Sequence, residues 1–155
     1  MNVPNADVRL CTAADLPLLQ AREVRPGSGF AERNIELAQG GDYFFVGAFN
    51  ADDVMGYVAL DCRPETELAP EMKTLWVYPA YRRQGLGVEL TRFIEKIAAD
   101  QGYTSVQLGV DPANPAAIPM YIGLDYRPTG DHRIIIEDST EQREAIYSKS
   151  LTITR

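Results

Sequence analysis

A mixed α/β (α+β) domain on a mainly antiparallel sheet is the fold class that three features of this sequence predict. The 155 residues suit one domain, 1–155, with a core large enough to need no staples. Short apolar runs rich in aromatic and β-branched residues recur along the chain, separated by polar links, which is the pattern of strands. One later stretch changes to helical period directly after a glycine-rich junction, as a strand–helix–strand crossover does. Together these predict six to seven strands flanked by about four helices.

The elements follow in order. "VRLCTA" (8–13) reads as a strand, and "TAADLPLLQAREV" (12–24) as a helix that Thr12 or Asp15 caps. "RPGSGF" breaks it, and "FAERNIELAQGG" (30–41) is a short amphipathic helix stopped by Gly40 and Gly41. "DYFFVGAFN" and "VMGYVALDCR", joined by Asn50–Asp53, form a β-hairpin, and "EMKTLWVY" (71–78) continues the sheet. From Gly87, Leu90, Phe93, Ile94, Ile97 and Ala98 recur at three- and four-residue spacing, an amphipathic helix ended by Gly102. "SVQLGV" is a further strand. "NPAAIPMYIGL" (114–124) reads as a helix that Pro119 kinks or shortens. "RIIIE" and "AIYSKSLTIT" (145–154) are the last strands, split by a polar link, "DSTEQRE", with His132 in a surface loop before them. The order is β-α-α-β-β-β-α-β-α-β-β, with the crossover around the glycines parallel and right-handed.

Composition narrows the function. A 45% apolar and 24% charged chain is ordinary for a globular protein, so wholesale disorder is not expected. The net charge of −7 disfavours a phosphate-backbone binder, so no nucleic-acid partner is expected. Cys11 and Cys62 are far apart and form neither a redox pair nor a zinc cluster; no metal is expected, and reduced thiols fit a cytoplasmic location. "MNVPNADVRL" lacks a basic region followed by an apolar stretch, so it does not read as a secretory signal, and no apolar run has membrane-spanning length.

The junction "YPAYRRQGLGVEL" (78–90) carries the most chemistry. Backbone N–H groups at a helix start lack partners, and the macrodipole places partial positive charge there. Glycines let the backbone approach a bulky anion, and Arg82 and Arg83 add fixed charge. The Walker pattern fails because Val88 and Glu89 follow Gly87, and the dinucleotide fingerprint fails because Leu90 stands where its third glycine belongs. Local chemistry alone fits a phosphate cradle and an ordinary helix start equally.

The longer context, "LWVYPAYRRQGLGVEL", closely resembles the acetyl-CoA-binding motif of the GNAT (Gcn5-related) N-acetyltransferase superfamily, with Leu75, Val77, Pro79, Arg82, Gly85 and Gly87 at the motif positions. A second signature of that family is matched by Asn114, Ala117, Met120 and Tyr121, while its closing Gly-Phe is altered to Asp125-Tyr126. The element order resembles the family over nearly the whole chain. The resemblance implies acetyl-CoA as cosubstrate, with the diphosphate of coenzyme A on the amides of Arg83, Gln84, Gly85, Leu86, Gly87 and Val88. It places the pantetheine arm beside the main chain of Trp76 and Val77, with the Val77 N–H near the thioester carbonyl. Asn114 caps the second helix or reaches the cofactor arm. Tyr121 is implied as the acid for the departing thiolate.

The base implied is Glu71, six residues before Val77 and on the same strand parity. A glutamate that another branch of the family carries on the next strand is here Gly109. The activity implied is direct transfer of acetyl to a primary amine of a small molecule or peptide within a ternary complex. The alternative is an acyl-CoA-binding sensor or partner module without chemistry. By the same resemblance the acceptor is gripped by 22–37 and 138–145, with Glu23, Glu32 and Glu36 available to a cation, and late strands pair in a homodimer. Two departures carry expectations of their own: Asp125 in place of the glycine alters the turn after the second helix, although Asp tolerates a left-handed backbone better than most residues, and Pro119 displaces Tyr121 by a fraction of a turn.

Overall fold

The computed structural model describes residues 6–114 and 116–152. Seven strands, β1 (Asp7–Leu10), β2 (Tyr43–Phe49), β3 (Val54–Asp61), β4 (Glu71–Val77), β5 (Ser105–Val110), β6 (Arg127–Glu137) and β7 (Thr140–Ser150), form one sheet in the order β1-β2-β3-β4-β5-β7-β6. Four α-helices cover it: α1 (Leu16–Ala21), α2 (Phe30–Ala38), α3 (Leu86–Asp100) and α4 (Ala117–Gly123). Every described strand pair is antiparallel except β4–β5, the pair that α3 connects, so the predicted class, strand number and helix number all hold.

The helices sort by apolar face. Leu86, Leu90, Ile94 and Ala98 of α3 recur every four residues and are buried against Val46, Val58, Leu60 and Leu108, and α4 packs at the border of the same cluster. Leu19 of α1 and Ala31 and Ile35 of α2 pack on the other face against Phe45, Tyr57 and Ala59. Each fully buried Leu or Ile contributes about 1.5–3 kcal/mol, so the sheet is held from both sides by ordinary core burial. Glu23, available in the sequence reading to meet a cation, instead accepts the Ala31 N–H at 2.9 Å and so satisfies an orphan donor at the start of α2.

Several expected boundaries move for physical reasons. α1 is short: a 3-10 turn at Ala13–Asp15 precedes it, with Asp15 accepting the Thr12 N–H at 2.8 Å. Pro119 falls in the first turn of α4, where its missing N–H has no acceptor to lose, so the helix begins at Ala117 and is shortened at its start. The last two strands are much longer than "RIIIE" and "AIYSKSLTIT" suggested. Asp138 and Ser139 both adopt positive φ, 49° and 64°, the two-residue turn that lets a hairpin ladder run to its tip. The polar "DSTEQRE" is therefore mostly strand, and His132 lies exposed within β6 and not in a loop. Ile153 and Thr154 of the expected last strand, and residues 1–5 of the N-terminal reading, lie outside the described residues.

One irregularity shapes the middle of the sheet. Tyr57 pairs with Trp76 and Ala59 with Lys73, so Val58 faces two residues, Thr74 and Leu75. Thr74 adopts φ 57°, and this β-bulge flips the side-chain alternation of β4 at that point. Met72 on one side of the bulge and Leu75 and Val77 on the other consequently face the same core. Glu71 and Val77 do not share a parity, which corrects the expectation from their six-residue spacing. The bulge also bends β4 away from β5, and one register pair remains between them, Glu71↔Gln107.

Candidate active site

The gap between β4 and β5 opens into a cavity of roughly 480 Å³. Trp76, Val77, Arg82, Arg83, Gly85, Leu86, Gly87, Val88, Asn114 and Tyr121 all line it. Gln84 does not; it borders a separate depression with Asp52 and Asp53. The turn entering α3 is backbone-strained at two places, Arg83 with φ 64° and the N-cap Gly85 with φ 85°, so glycine is needed at 85 to turn the first amides of α3 outward. A Cβ at Gly87 would meet Met120 Sδ at 3.5 Å, an ordinary contact, so Gly87 lines the cavity without being sterically required there. The residues present fit an anionic, elongated guest: unpaired helix-start amides at one end, apolar walls from Leu75, Ala117 and Met120 along its length.

The β4 edge supplies the second half of the cradle. The Tyr78 N–H donates to Met55 O at 3.0 Å, toward β3. By strand alternation the N–H and C=O of Val77 face the gap. Arg82 Nε donates to Val77 O at 2.7 Å, while its guanidinium lies 4.7 Å over the Trp76 ring, which holds this arginine beside the cavity wall. The Trp76 side chain turns away toward the α1–α2 face, and its indole Nε1 is buried without a partner among the described residues. Asn114 Oδ1 accepts the N–H groups of Ala116 and Ala117 at 3.1 and 3.2 Å, the capping geometry at the start of α4.

Tyr121 stands where this cavity meets a second one, of roughly 380 Å³, that it also lines. Its ring packs edge-on to Tyr126 at 6.1 Å, and burial raises its hydroxyl above the usual tyrosine range, so it is a neutral O–H donor at physiological pH. Asp125 takes φ 74°, a left-handed backbone that Asp tolerates, and lets the chain turn so that Tyr126 buries completely and donates to Glu95 Oε2 at 2.8 Å.

The second cavity is polar and holds residues that the sequence reading did not single out. Glu71 is 3% exposed, and both its oxygens are engaged by Arg133 of β6, Oε2 at 2.6 Å and Oε1 at 3.3 Å. The same guanidinium reaches Glu144 Oε1 of β7 at 2.9 Å. Both oxygens of Glu71, the base that the resemblance implies, are thus already hydrogen-bonded. Arg133 and Glu144 were missed because they sit in a polar hairpin 62 and 73 positions from Glu71, with no local motif; the alternation of "EQREA" as a strand was the only available signal. Their presence accounts for Gly109, since a Cβ there would overlap the Glu144 carboxylate and stand 2.8 Å from Arg133 Nη2. Gly109→Ala accordingly pushes the ends of the Glu144 and Arg133 side chains aside and is expected to destabilise the protein by no more than about 1 kcal/mol, read as a slightly lower urea midpoint with unchanged slope.

Comparison with known proteins places these features in context. The model of the acetyltransferase (GNAT) family matches residues 12–126. N-acetyltransferase 8B of Rattus norvegicus is 31% identical over 99 residues, 62% of this chain and 44% of that protein. The chain spans less than half the length of the curated relatives it matches, 41% and 44% for the first two. Among solved structures, an N-acetyltransferase from Staphylococcus aureus Mu50 superposes with TM-score 0.76 at 16% identity, covering 96% of this chain and 99% of that one. The PaiA N-acetyltransferase of Thermoplasma acidophilum in complex with coenzyme A does so with TM-score 0.69 at 20% identity, covering 94% and 98%. Among the described residues, no helix is long and apolar enough to cross a membrane.

Proposed function

The chain belongs to the GNAT acetyltransferase family, and from that premise we propose that it moves the acetyl group of acetyl-CoA directly to a primary amine of a small molecule or peptide. The observation that carries this reading is the continuous cavity from the α3 amides, past the open edge of β4, to Tyr121. When bound, acetyl-CoA supplies the activated thioester. The residues of the chain then divide the work. The amides from Arg83 to Val88, with the charge of Arg82, bind the diphosphate. The gap-facing N–H of Val77 stabilises negative charge developing on the thioester oxygen. Tyr121 gives its proton to the departing sulfur, and its own burial keeps the tyrosine neutral until that moment. The proton that the amine releases goes to the carboxylate cluster of the second cavity, which begins at Glu71.

A second reading, an acyl-CoA-binding module without turnover, is favoured by one observation: Arg133 occupies both oxygens of Glu71. The two are separated by mixing protein and acetyl-CoA with a panel of aminoglycosides, polyamines, amino acids and peptides and following free thiol. Amine-dependent thiol release supports the enzyme; tight CoA binding with no release on any amine supports the module. Within the enzyme reading, Tyr121→Phe lowers kcat by about 10- to 100-fold while the CoA Kd stays within a few-fold, since a thiolate near pKa 8.5 needs limited help to leave. An unchanged kcat would remove Tyr121 from the proton transfer.

A further inference from the structure

The two carboxylates of the second cavity differ in what they have left to offer. Both oxygens of Glu71 accept from Arg133, and the side chain is shut off from solvent. In Glu144 a single oxygen, Oε1, accepts from Nε of Arg133 at 2.9 Å and lies 2.9 Å from Nη2 of the same guanidinium. Its other oxygen, Oε2, accepts from no donor among the described residues, and the side chain is 23% exposed in the cavity that Tyr121 also lines. The remaining charged group facing this space is Lys73, whose Nζ is turned 2.8 Å from Asp61 Oδ2.

Resting on the acetyl-transfer reading above, we propose that Glu144, through its free Oε2, is the catalytic base, and that Glu71 and Arg133 are the positioning pair that holds it. The charge count of the cluster favours this assignment. One guanidinium between two carboxylates leaves a net charge of −1. A proton on Glu144 neutralises the cluster and keeps the closer 2.6 Å pair of Arg133 with Glu71 intact. A proton on Glu71 would break that pair inside the protein, where unpaired charge is costly.

The step balances without a further reagent. The ammonium first gives one proton to solvent; the free amine nitrogen then forms its bond to the thioester carbonyl carbon, and the proton made acidic by that bond passes to Glu144 Oε2. The C–S bond breaks, and the sulfur takes the Tyr121 hydroxyl proton. Glu144 returns its proton through solvent to the Tyr121 oxygen, so both side chains end as they began, and the products are the amide and the free thiol.

The test uses the whole chain with acetyl-CoA and propylamine as acceptor. Glu144→Gln keeps the volume and one acceptor for Arg133. Its kcat is expected to fall about 100-fold, with the acetyl-CoA KM, the CoA Kd and the melting temperature near those of the parent. Glu71→Gln, which loosens the positioning pair, is expected to lose less kcat than Glu144→Gln does and to melt lower than the parent. Glu144→Asp, which draws the carboxylate back by one methylene, is expected to fall between the parent and Glu144→Gln, and it serves as the second variant if Glu144→Gln misfolds. Unchanged kcat in Glu144→Gln, or an equal loss in Glu71→Gln at an unchanged melting temperature, overturns the proposal. Parent protein that binds CoA and releases no thiol to propylamine also overturns it. Parent protein that binds no CoA overturns the reading beneath it, a distinct result.

Discussion

Gly85→Glu is expected to weaken CoA binding by roughly 100-fold while the fold survives, measured by isothermal titration with circular dichroism as the control. Two effects combine at this position. Gly85 holds φ 85°, a left-handed conformation that costs a non-glycine residue about 1–2 kcal/mol. The new carboxylate also stands beside the site proposed for a diphosphate. At 4 Å, like charges repel by about 1 kcal/mol in water and about 4 kcal/mol near a protein surface. About 2.7 kcal/mol of lost binding corresponds to the 100-fold change. Gly85 is exposed, so the added side chain reaches solvent and the core beneath α3 is untouched. If Gly85→Glu binds CoA as the parent does, the α3 start is not the diphosphate site.

Asp61→Ala is expected to destabilise the protein by about 3–5 kcal/mol. Asp61 is fully buried at the end of β3, where Arg63 grips both oxygens at 2.9 Å and Lys73 adds a third contact at 2.8 Å. Removing it leaves two cations without their anion. Burial alone would raise the carboxyl pKa, but the bonds from Arg63 and Lys73 outweigh it and hold Asp61 far below the usual carboxylate range. A group depressed in this way stabilises the fold fully above its unfolded pKa of about 3.9. That contribution is lost as pH falls from there toward the folded value. Asp15, held low chiefly by its bond from Arg9, acts in the same direction, and so does Asp53, where Tyr81 and Arg22 overcome burial. Urea midpoints measured from pH 7 to pH 3 should therefore fall in the parent and fall less steeply in Asp61→Ala. Equal slopes would remove Asp61 from the acid response.

The parts of the fold that were legible in the sequence are those written in contiguous residues. The α3 stripe of Leu90, Ile94 and Ala98, the β2–β3 runs and the glycine turn each declare themselves within a dozen positions. The cradle is one such stretch, which is why the residues expected to hold the cofactor line one cavity apart from Gln84. The bulge was illegible because Thr74 is an ordinary strand residue and carries no glycine to mark its positive φ. The β6–β7 hairpin was read too short because a ribbon with polar side chains on both sides lacks the apolar alternation that identifies strands. The Glu71–Arg133–Glu144 cluster depends on both of these hidden features, so no local reading reaches it.

With Glu71↔Gln107 as the only register pair joining β4 to β5 among the described residues, the sheet is two panels, β1–β4 and β5–β7–β6, joined at one end and backed by α3. A guest in the cavity lies between β4 and α4, the helix that follows β5, and so braces the first panel against the chain leaving the second. Amide hydrogen exchange along β4 and β5 should then slow together when CoA is added, although the two strands share almost no bonds of their own. Rigidity of the domain, on this view, is partly on loan from whatever occupies the cleft.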